Sequence, residues 1–480
     1  MTRHRLTPFG VITAVIFWAV VYVGLLLVFA AVWVRWAFGP IGLDEMIANL
    51  PTTHGGGVGD SSLVVSIAVC LIAPLVVVGV GVAVVRRTGR PRKAGVRWLG
   101  GVAAVLVGAL VFAFTVGVPQ YASAALADRS IEPYYAAPSV SVQRHAPRNL
   151  ITIYLESGES AYRDARLFGS NLLAPLDAAT VGWHDYALDQ YHGGGWTMAG
   201  MVSTQCGIPL KHVLVDGLPP AGTSGGYLPG ATCLGDVLAA QGYTSAFLGG
   251  ADSGFAGKGA YFTDHGYTID KGLADWKATG EGAPYISAWG LADSHLMRQA
   301  ERVVTQLRAA GKPFNLTMLT LDTHEPPGLF PDCTLPGSES MATAVTCSAR
   351  AVASFIDYLR QQHVLDDTVV MVMGDHLKML APRGAFATQL GSVPQRQVVM
   401  KVWSPDSVRF TRQGADQLSV FPTTVELLGL ALPQGRAGVG VSFVGGHGTA
   451  GTMLDLPQSE YEALLDGPST RLYRALWKSP

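Results

Sequence analysis

The nine residues Asn-Leu-Ile-Thr-Ile-Tyr-Leu-Glu-Ser at positions 149–157 decide the fold of this chain. From Leu150 to Leu155 the residues are apolar, β-branched or aromatic without alternation, which is typical of a strand buried on both faces of a parallel sheet. Three later runs of the same kind predict further buried strands: Thr244 to Leu248, Phe314 to Leu321, and Thr368 to Met373.

Amphipathic stretches lie between these runs. The helices that they predict are Cys233 to Gln241, Ser294 to Ala309, and Ser348 to Gln361. Strands that alternate with helices indicate an α/β domain with a mostly parallel central sheet covered by helices on both faces. We place this domain at residues 149–480.

Polar side chains directly follow three of the predicted strands. Glu156 follows the first, Asp322 and His324 follow the third, and Asp375 and His376 follow the fourth. Ligands of open parallel sheets bind beyond the carboxyl ends of the strands, so these residues should meet at one edge. Carboxylates and an imidazole can hold a divalent cation there. A carboxylate in such a position can also simply cap a helix.

A threonine follows a glycine-rich turn in the same domain. The segment His192-Gly193-Gly194-Gly195-Trp196 precedes Thr197, which is expected to open a helix over residues 197–203. The free N–H groups at a helix N-terminus bind phosphate, and a hydroxyl that coordinates a cation loses its proton readily. Thr197 is therefore a candidate nucleophile, with an N-cap as the alternative role.

The first quarter of the chain is strongly apolar. The whole sequence is 49% hydrophobic and only 14% charged. Apolar runs at about 9–34, 62–85 and 98–118 all exceed the roughly 20 residues that cross a bilayer as a helix. They predict a transmembrane anchor at residues 1–118, and the first run is too long for a typical cleaved signal peptide. Ala, Ser and Pro then predict a linker at residues 119–148.

Basic residues predict the orientation of these helices, because loops rich in Lys and Arg stay in the cytoplasm. Such residues precede the first run and separate the second from the third: Arg3, Arg5, Arg86, Arg87, Arg90, Arg92, Lys93 and Arg97. The domain after residue 118 should therefore lie outside the cytoplasm. The net charge of −1 and the lack of a basic, aromatic stripe speak against a nucleic-acid partner.

Four of the five cysteines fall in the predicted extracytoplasmic domain. An oxidising compartment would permit two disulfides there. Sequence proximity favours Cys206 with Cys233 and Cys333 with Cys347, but three pairings are possible and free buried thiols remain an alternative.

Five blocks of the domain resemble a known family. They are residues 149–157, residues 197–210, residues 249–259, Leu321-Asp322-Thr323-His324 and Gly374-Asp375-His376-Leu377. In this order they are similar to the phosphoglycerol transferase I enzymes that modify periplasmic glucans, which are relatives of the lipoteichoic acid synthases. The resemblance implies an alkaline-phosphatase/sulfatase-like α/β/α domain behind N-terminal transmembrane helices.

The resemblance also implies a mechanism. Glu156, Thr197, Asp375 and His376 would hold one divalent metal, Mn²⁺ or Mg²⁺, with Zn²⁺ possible. Thr197 would attack phosphatidylglycerol, release diacylglycerol and form a glycerophospho-threonine, from which a glucan hydroxyl would take the group. These implications place the protein in the inner membrane of a bacterium, with the catalytic domain in the periplasm.

Further roles follow from the same blocks. His324 would act as an acid or base, and His324, Lys258 and Asp252 would contact the phosphoglycerol group. Trp289 and Asp293 also match a family block and are interpreted as structural. Lys378 departs from the family pattern, and either a phosphate contact or a solvated position is open for it. The chain is also shorter than the longest family members and is expected to lack an extra C-terminal domain, which puts the handling of the acceptor in question.

Three other functions are weighed against this one. A phosphoethanolamine transferase acting on lipid A or glucan would share the anchor, the fold and the threonine. A true sulfatase needs a Cys-x-Pro-x-Arg motif, which Cys206-Gly207-Ile208-Pro209-Leu210 does not provide. A membrane-tethered binding or sensor protein would be expected to lack a metal ligand, and none is missing. The acceptor, the metal and the oligomeric state are not determined by the sequence.

Overall fold

The computed structural model describes residues 8–39, 60–88, 94–127, 129–142, 148–211, 226–333, 340–412 and 414–479. These residues form two compact units. The smaller unit contains the N-terminal helices up to residue 123 together with residues 380–384, and the larger unit contains the rest.

The smaller unit is helical. Its helices are α1 (Pro8–Phe38), α2 (Asp60–Ile67), α3 (Ala73–Thr88) and α4 (Ala94–Thr115), and a π-helical turn at Ala68–Ile72 joins α2 to α3. Three helical segments are long and apolar enough to cross a membrane: Gly10–Phe38, Val64–Thr88 and Trp98–Thr115. The prediction of three such helices is confirmed.

Close packing within this unit depends on two glycines. A Cβ atom at Gly24 of α1 would overlap the backbone of Ala104, and one at Gly108 of α4 would overlap the backbone of Gly24. Small residues at such crossings let two apolar helices approach closely in a bilayer. The basic residues Arg3, Arg5, Arg90, Arg92 and Lys93 lie outside the described residues, so the orientation stays a prediction.

Part of the predicted linker is helical. Helix α5 (Val118–Leu126) begins at the end of the third predicted span. Its alanines have a high intrinsic helix propensity, and a helix can form from such residues even where the sequence shows no regular apolar period.

The larger unit is built on a seven-stranded sheet. Its strands are β1 (Asn149–Leu155), β2 (His184–Leu188), β3 (Thr244–Gly249), β4 (Tyr267–Lys271), β5 (Phe314–Leu319), β6 (Thr368–Gly374) and β7 (Val398–Trp403). The order across the sheet is β2-β7-β6-β1-β5-β3-β4. The pairs from β6 to β4 are parallel, and β7 is antiparallel to both β6 and β2. The predicted mostly parallel α/β fold is confirmed.

Helices surround this sheet. They are α6 (Ala165–Phe168), α7 (Ala174–Ala179), α8 (Thr197–Cys206), α9 (Leu234–Ala240), α10 (Lys258–Asp264), α11 (Leu273–Ala278), α12 (Asp293–Ala309), α13 (Ser340–Gln361), α14 (Ala387–Gly391), α15 (Val420–Leu427), α16 (Gln458–Asp466) and α17 (Thr470–Leu476). Two short antiparallel pairs join Ser141–Val142 to Leu430–Ala431 and Arg436–Ala437 to Gly440–Val441.

The two faces of the sheet bury different helices. On one face Leu150 and Tyr154 of β1 join a continuous apolar core with residues of α8, α9 and α15. Ile151 and Ile153 are equally buried and point to the other face, because side chains alternate along a strand. The buried helix α8 therefore lies on the first face, where it carries Thr197 toward the end of β1.

Both disulfides pair as sequence proximity suggested. Cys206 at the end of α8 bonds to Cys233, and Cys333 bonds to Cys347 of α13. The first bridge links the last residue of α8 to the N-cap residue of α9, so it fixes the C-terminal end of the helix that begins with Thr197.

One predicted strand is shorter than expected. Phe314 to Leu321 was predicted, but β5 ends at Leu319. The backbone N–H of Leu321 donates to Asp293 Oδ1 at 2.6 Å instead of continuing the ladder. The chain therefore leaves the sheet before Asp322 and His324.

Candidate metal centre and nucleophile

The register of two neighbouring strands brings the first acids together. Leu155 of β1 pairs with Gly374 of β6, so both strands end at the same level of the sheet. Glu156 and Asp375 are the next residues along each strand. The N–H of Asp375 also donates to the Leu155 carbonyl at 3.1 Å, which holds the two strand ends side by side.

Glu156, Asp375 and His376 form one buried cluster. One ligand atom from each lies within 4.8 Å of the others, and all three side chains are buried. His376 Nε2 is 3.6 Å from Glu156 Oε1 and 3.5 Å from Asp375 Oδ2. Two acids and one imidazole at this spacing are the donor set of a divalent cation site.

Asp375 supports this assignment most directly. Its Oδ1 accepts the N–H groups of Ser157 and His376, each at 2.8 Å. Its Oδ2 is buried and has no hydrogen-bond partner among the described residues. A buried carboxylate oxygen without a donor is strongly destabilising unless a cation neutralises it. The residues present therefore fit a bound divalent metal.

The tautomer of His376 is set by the backbone carbonyl of the next residue. His376 Nδ1 donates to the Leu377 carbonyl at 2.8 Å, which leaves Nε2 as the atom that faces the acids. The N–H of Leu377 in turn donates to Gln190 Oε1 at 2.7 Å. Such outer contacts orient a metal-binding imidazole.

Thr197 reaches the same cluster from the other side. It is the first residue of α8, while Trp196 occupies the N-cap position in extended conformation. Thr197 Oγ1 donates to Glu156 Oε2 at 3.4 Å. The hydroxyl of Thr197 is thus held at a helix N-terminus beside the predicted metal ligands.

The two carboxyl groups of the cluster have pKa values that are shifted in opposite directions. Burial raises the pKa of Asp375 to about 7, although His376 lowers it. Burial also acts to raise the pKa of Glu156, but His376, His324, the Ser157 hydroxyl and Lys378 together leave that pKa below its usual value. Two neighbouring acids with pKa values pushed apart are a mark of a functional site.

His324 and Lys258 border the cluster. Burial lowers the pKa of His324, and the carboxylate of Glu156 partly opposes that shift. The His324 ring lies 3.8 Å from the Trp289 ring, centre to centre. Lys258 is buried at the start of α10 and donates to the Phe255 carbonyl at 2.7 Å. Burial lowers the pKa of Lys258 to about 8, although the negative charges of Glu156 and Asp252 act to raise it.

Two predicted polar positions do not join the cluster. Asp252 Oδ1 accepts the N–H of Gly254 at 2.8 Å and closes a turn. Asp322 Oδ2 accepts the N–H of Asp293 at 3.1 Å, and the Asp293 carboxylate binds the backbone of Leu321 and Asp322. The interpretation of Asp293 as structural agrees with these contacts.

Gln417 and Gly200 also shape the site, although the sequence did not single them out. Gln417 Nε2 donates to the Asp375 carbonyl at 2.6 Å, and its side chain is fully buried. A Cβ atom at Gly200 of α8 would overlap that same carbonyl oxygen. The helix that carries Thr197 can approach Asp375 only because residue 200 has no side chain. No local motif marks either residue, since both act across the fold.

Replacing Gln417 by leucine should weaken metal binding by about 10- to 100-fold, the range found for outer contacts of metal ligands. The Asp375 carbonyl would lose its buried donor, which costs about 1–3 kcal/mol of stability. Titration of Mn²⁺ followed by thermal unfolding measures both effects.

Gln299→Leu is the matched control for this substitution. Gln299 is also buried, and its Nε2 donates to Glu281 Oε1 at 2.6 Å, outside the cluster. We expect lower stability with unchanged Mn²⁺ affinity. A Gln417→Leu protein that binds Mn²⁺ as tightly as the wild type would contradict the role of Gln417.

The sheet, the acid–imidazole cluster beyond its strand ends and the hydroxyl at a helix N-terminus define an α/β protein of the alkaline phosphatase/sulfatase class. The comparison with family models agrees. The model described as "Sulfatase" matches residues 148–430, and the chain belongs to this family.

Curated relatives narrow the resemblance. The chain is 34% identical over 340 residues to phosphoglycerol transferase I of Xanthomonas euvesicatoria pv. vesicatoria (strain 85-10), a match that covers 68% of this chain and 47% of that protein. It is 34% identical over 260 residues to phosphoglycerol transferase I of Escherichia coli O6:K15:H31 (strain 536 / UPEC), covering 52% of this chain and 34% of that protein. The chain thus spans about half the length, or less, of these relatives. The predicted resemblance to phosphoglycerol transferase I is confirmed.

A solved structure confirms the fold alone. A protein of the alkaline phosphatase superfamily from Vibrio parahaemolyticus superposes with a TM-score of 0.51 at 18% identity. The match covers 75% of this chain and 97% of that one.

Proposed function

We propose that this protein is a membrane-anchored phosphoglycerol transferase. It moves a glycerol phosphate group from phosphatidylglycerol to a hydroxyl of a periplasmic glucan and releases diacylglycerol. The observation that carries the proposal is the position of the Thr197 hydroxyl, 3.4 Å from Glu156 Oε2 beside the acid–imidazole cluster. The names of the curated relatives supply the class of group transferred.

Glu156, Asp375 and His376, with the Thr197 hydroxyl, would hold a divalent metal. Mn²⁺ or Mg²⁺ is proposed, and Zn²⁺ also suits the donor set. Such a cation lowers the pKa of a hydroxyl and neutralises charge on phosphate oxygens. The buried Asp375 Oδ2 supports this site because it has no hydrogen-bond partner among the described residues.

The protein residues divide the chemistry in two steps. Thr197 Oγ1 gives its proton to His324 and attacks phosphorus, the bond to the diacylglycerol oxygen breaks, and that oxygen takes the proton back from His324. A glycerophospho-threonine remains. A glucan hydroxyl then attacks phosphorus, gives up its proton and restores the Thr197 hydroxyl, as in other covalent double displacements.

His324 is the proposed acid and base. Burial lowers its pKa, so the imidazole is neutral near pH 7 and can accept the proton of an incoming hydroxyl. Lys258 is proposed to contact the phosphate, and Asp252 to bind the glycerol hydroxyls from the adjoining loop. The free N–H groups at the start of α8 would favour the phosphate charge.

The membrane location is part of the proposal. Three apolar helices are long enough to anchor the protein beside its lipid donor. The predicted orientation places the domain in the periplasm of a bacterium, where a glucan acceptor is available. The two disulfides suit that oxidising compartment.

Donor lipids labelled in the headgroup test this function directly. The purified full-length protein should release diacylglycerol from phosphatidylglycerol in the presence of Mn²⁺, and added glucan should become labelled. Release from phosphatidylethanolamine alone would instead support a phosphoethanolamine transferase. Turnover of neither lipid, with metal bound, would support a membrane-tethered binding or sensor protein.

A further inference from the structure

Lys378 is a buried cation beside the candidate metal centre. It lies two residues after His376, and only 3% of its surface is exposed. The sequence left two interpretations of Lys378 open, and the interpretation as a solvated lysine is therefore wrong. A fully buried ammonium requires a negatively charged partner, because the loss of hydration is otherwise prohibitive.

The partner in this structure is Glu325. Lys378 Nζ lies 2.9 Å from Glu325 Oε1, and the Glu325 side chain is 38% exposed. Glu325 directly follows His324 and also accepts the N–H of Ala385 at 2.8 Å. The ion pair therefore joins the segment after β6 to the segment that carries His324.

The backbone of Lys378 is held much more firmly than its side chain. Its N–H donates to Glu159 Oε1 at 2.8 Å, and its carbonyl accepts Arg396 Nη2 at 2.6 Å. Glu159 is fully buried and pairs with Arg396. The ammonium is thus delivered from a rigid support to a carboxylate that is partly in solvent.

The charge of Lys378 acts on the site itself. It lowers the pKa of both Glu156 and His324. An ammonium has three N–H donors in flexible directions and binds phosphate oxygens as a point charge. Glu325, as a partly exposed carboxylate, can turn toward water and release it.

We infer that Lys378 is a phosphate-binding residue of this site. Its ammonium exchanges the ion pair with Glu325 for an oxyanion of the phosphate group when the substrate binds. Lys378 is then a second cationic contact in addition to Lys258. The inference rests on the proposed function for the identity of the substrate, but it needs only a phosphate oxyanion for its chemistry.

The competing explanation is an ion pair that merely joins two loops. The two explanations differ in what happens to anion binding, because a structural pair supports the fold without contacting the ligand. Inorganic phosphate is a suitable probe. Its affinity for the full-length protein with Mn²⁺ in detergent can be measured by calorimetry, without any turnover.

Lys378→Met should weaken phosphate binding by about tenfold or more, the loss expected for one charge-assisted contact. Glu325→Gln should bind phosphate as tightly as the wild type or more tightly, because the competing carboxylate is gone. Lys401→Met is the matched control. Lys401 of β7 is also buried, and its Nζ pairs with Asp177 of α7 at 2.9 Å and with Asp185 of β2 at 3.0 Å. It should lose stability and keep its phosphate affinity.

Phosphate affinity equal to that of the wild type in Lys378→Met would overturn the inference. If that variant does not fold, Glu325→Gln decides, since a clear loss of phosphate affinity there would show that Glu325 supports the site rather than competes for Lys378. The proposed function is tested separately, by measuring diacylglycerol release from phosphatidylglycerol with the wild-type protein. A wild type that binds phosphate through Lys378 but releases no diacylglycerol would refute the function and leave the inference in place.

Discussion

Thr197→Ala should reduce diacylglycerol release from phosphatidylglycerol by at least about 1,000-fold, which is the scale of losing a covalent nucleophile. The Thr197 hydroxyl is the proposed attacking group. The Ser157 hydroxyl also donates to Glu156, at 2.8 Å, but it does not stand at the N-terminus of α8. The fold should be almost unaffected, because the Thr197 hydroxyl makes a single hydrogen bond with the described residues, 3.4 Å long.

Trapping the intermediate gives this prediction a second measurement. Wild-type protein that is incubated with headgroup-labelled phosphatidylglycerol and quenched in acid should carry label on Thr197, and Thr197→Ala should carry none. Thr197→Ser, which keeps a hydroxyl, should retain part of the activity. Thr305→Ala is the control, since the exposed hydroxyl of Thr305 bonds to the Glu301 carbonyl within α12 and to the Tyr358 hydroxyl, outside the cluster. Label on another residue of the Thr197→Ala protein would disprove the assignment of the nucleophile.

Asp375→Asn should lower the affinity for Mn²⁺ by at least about 100-fold, beyond the range found for outer contacts. The amide oxygen of asparagine can still accept the N–H groups of Ser157 and His376, so the loop should keep its shape. The amide N–H₂ would stand in place of Oδ2, where a charged acceptor is needed. Bound manganese per chain, measured after gel filtration, checks this expectation, and Asp366→Asn, at an exposed position, is the control.

The same substitution should change how stability depends on pH in the absence of metal. Burial raises the pKa of Asp375 to about 7, whereas an unfolded aspartate has a pKa of about 3.9. The folded state therefore holds a proton that the unfolded state releases, and metal-free wild-type protein should lose stability as the pH rises from about 4 to about 7. Asp375→Asn should remove this part of the slope.

Unfolding in EDTA at several pH values between 4 and 8 measures that slope. At pH 7.5 the metal-free variant should be more stable than the metal-free wild type, and saturating Mn²⁺ should reverse the order, because only the wild type gains binding energy. A variant with the same pH slope as the wild type would show that the Asp375 carboxylate is not the buried acid responsible.

Four strands of the sheet could be predicted from the sequence because their signal lies in residues that are neighbours along the chain. The runs at β1, β3, β5 and β6 are buried on both faces, and composition alone is enough to predict such strands. Strands β2, β4 and β7 were not predicted. In β2 the exposed His184 and Asp185 break the apolar run, and in β7 the polar Lys401 interrupts it while being neutralised by Asp177 and Asp185 from elsewhere in the chain.

The site divides in the same way. The sequence could single out these residues as candidates because Glu156 and Asp375 directly follow strands, His376 follows Asp375, and Thr197 follows a glycine-rich turn. Their assembly needed the pairing of Leu155 with Gly374, which is a property of the sheet. Gln417 and Gly200 carry no local signal, since each acts on the Asp375 carbonyl from a distant part of the chain.

The sequence by itself determined the anchor of apolar helices, the mostly parallel sheet and the acids at its strand ends, because hydrophobic patterning and strand termination are local. Only the tertiary structure decided that Lys378 is buried against Glu325, that Asp322 turns toward Asp293, and that α8 meets Asp375 at a glycine. Those outcomes depend on which backbone segments approach each other, and hydrogen bonds between distant residues leave no periodic trace along a chain.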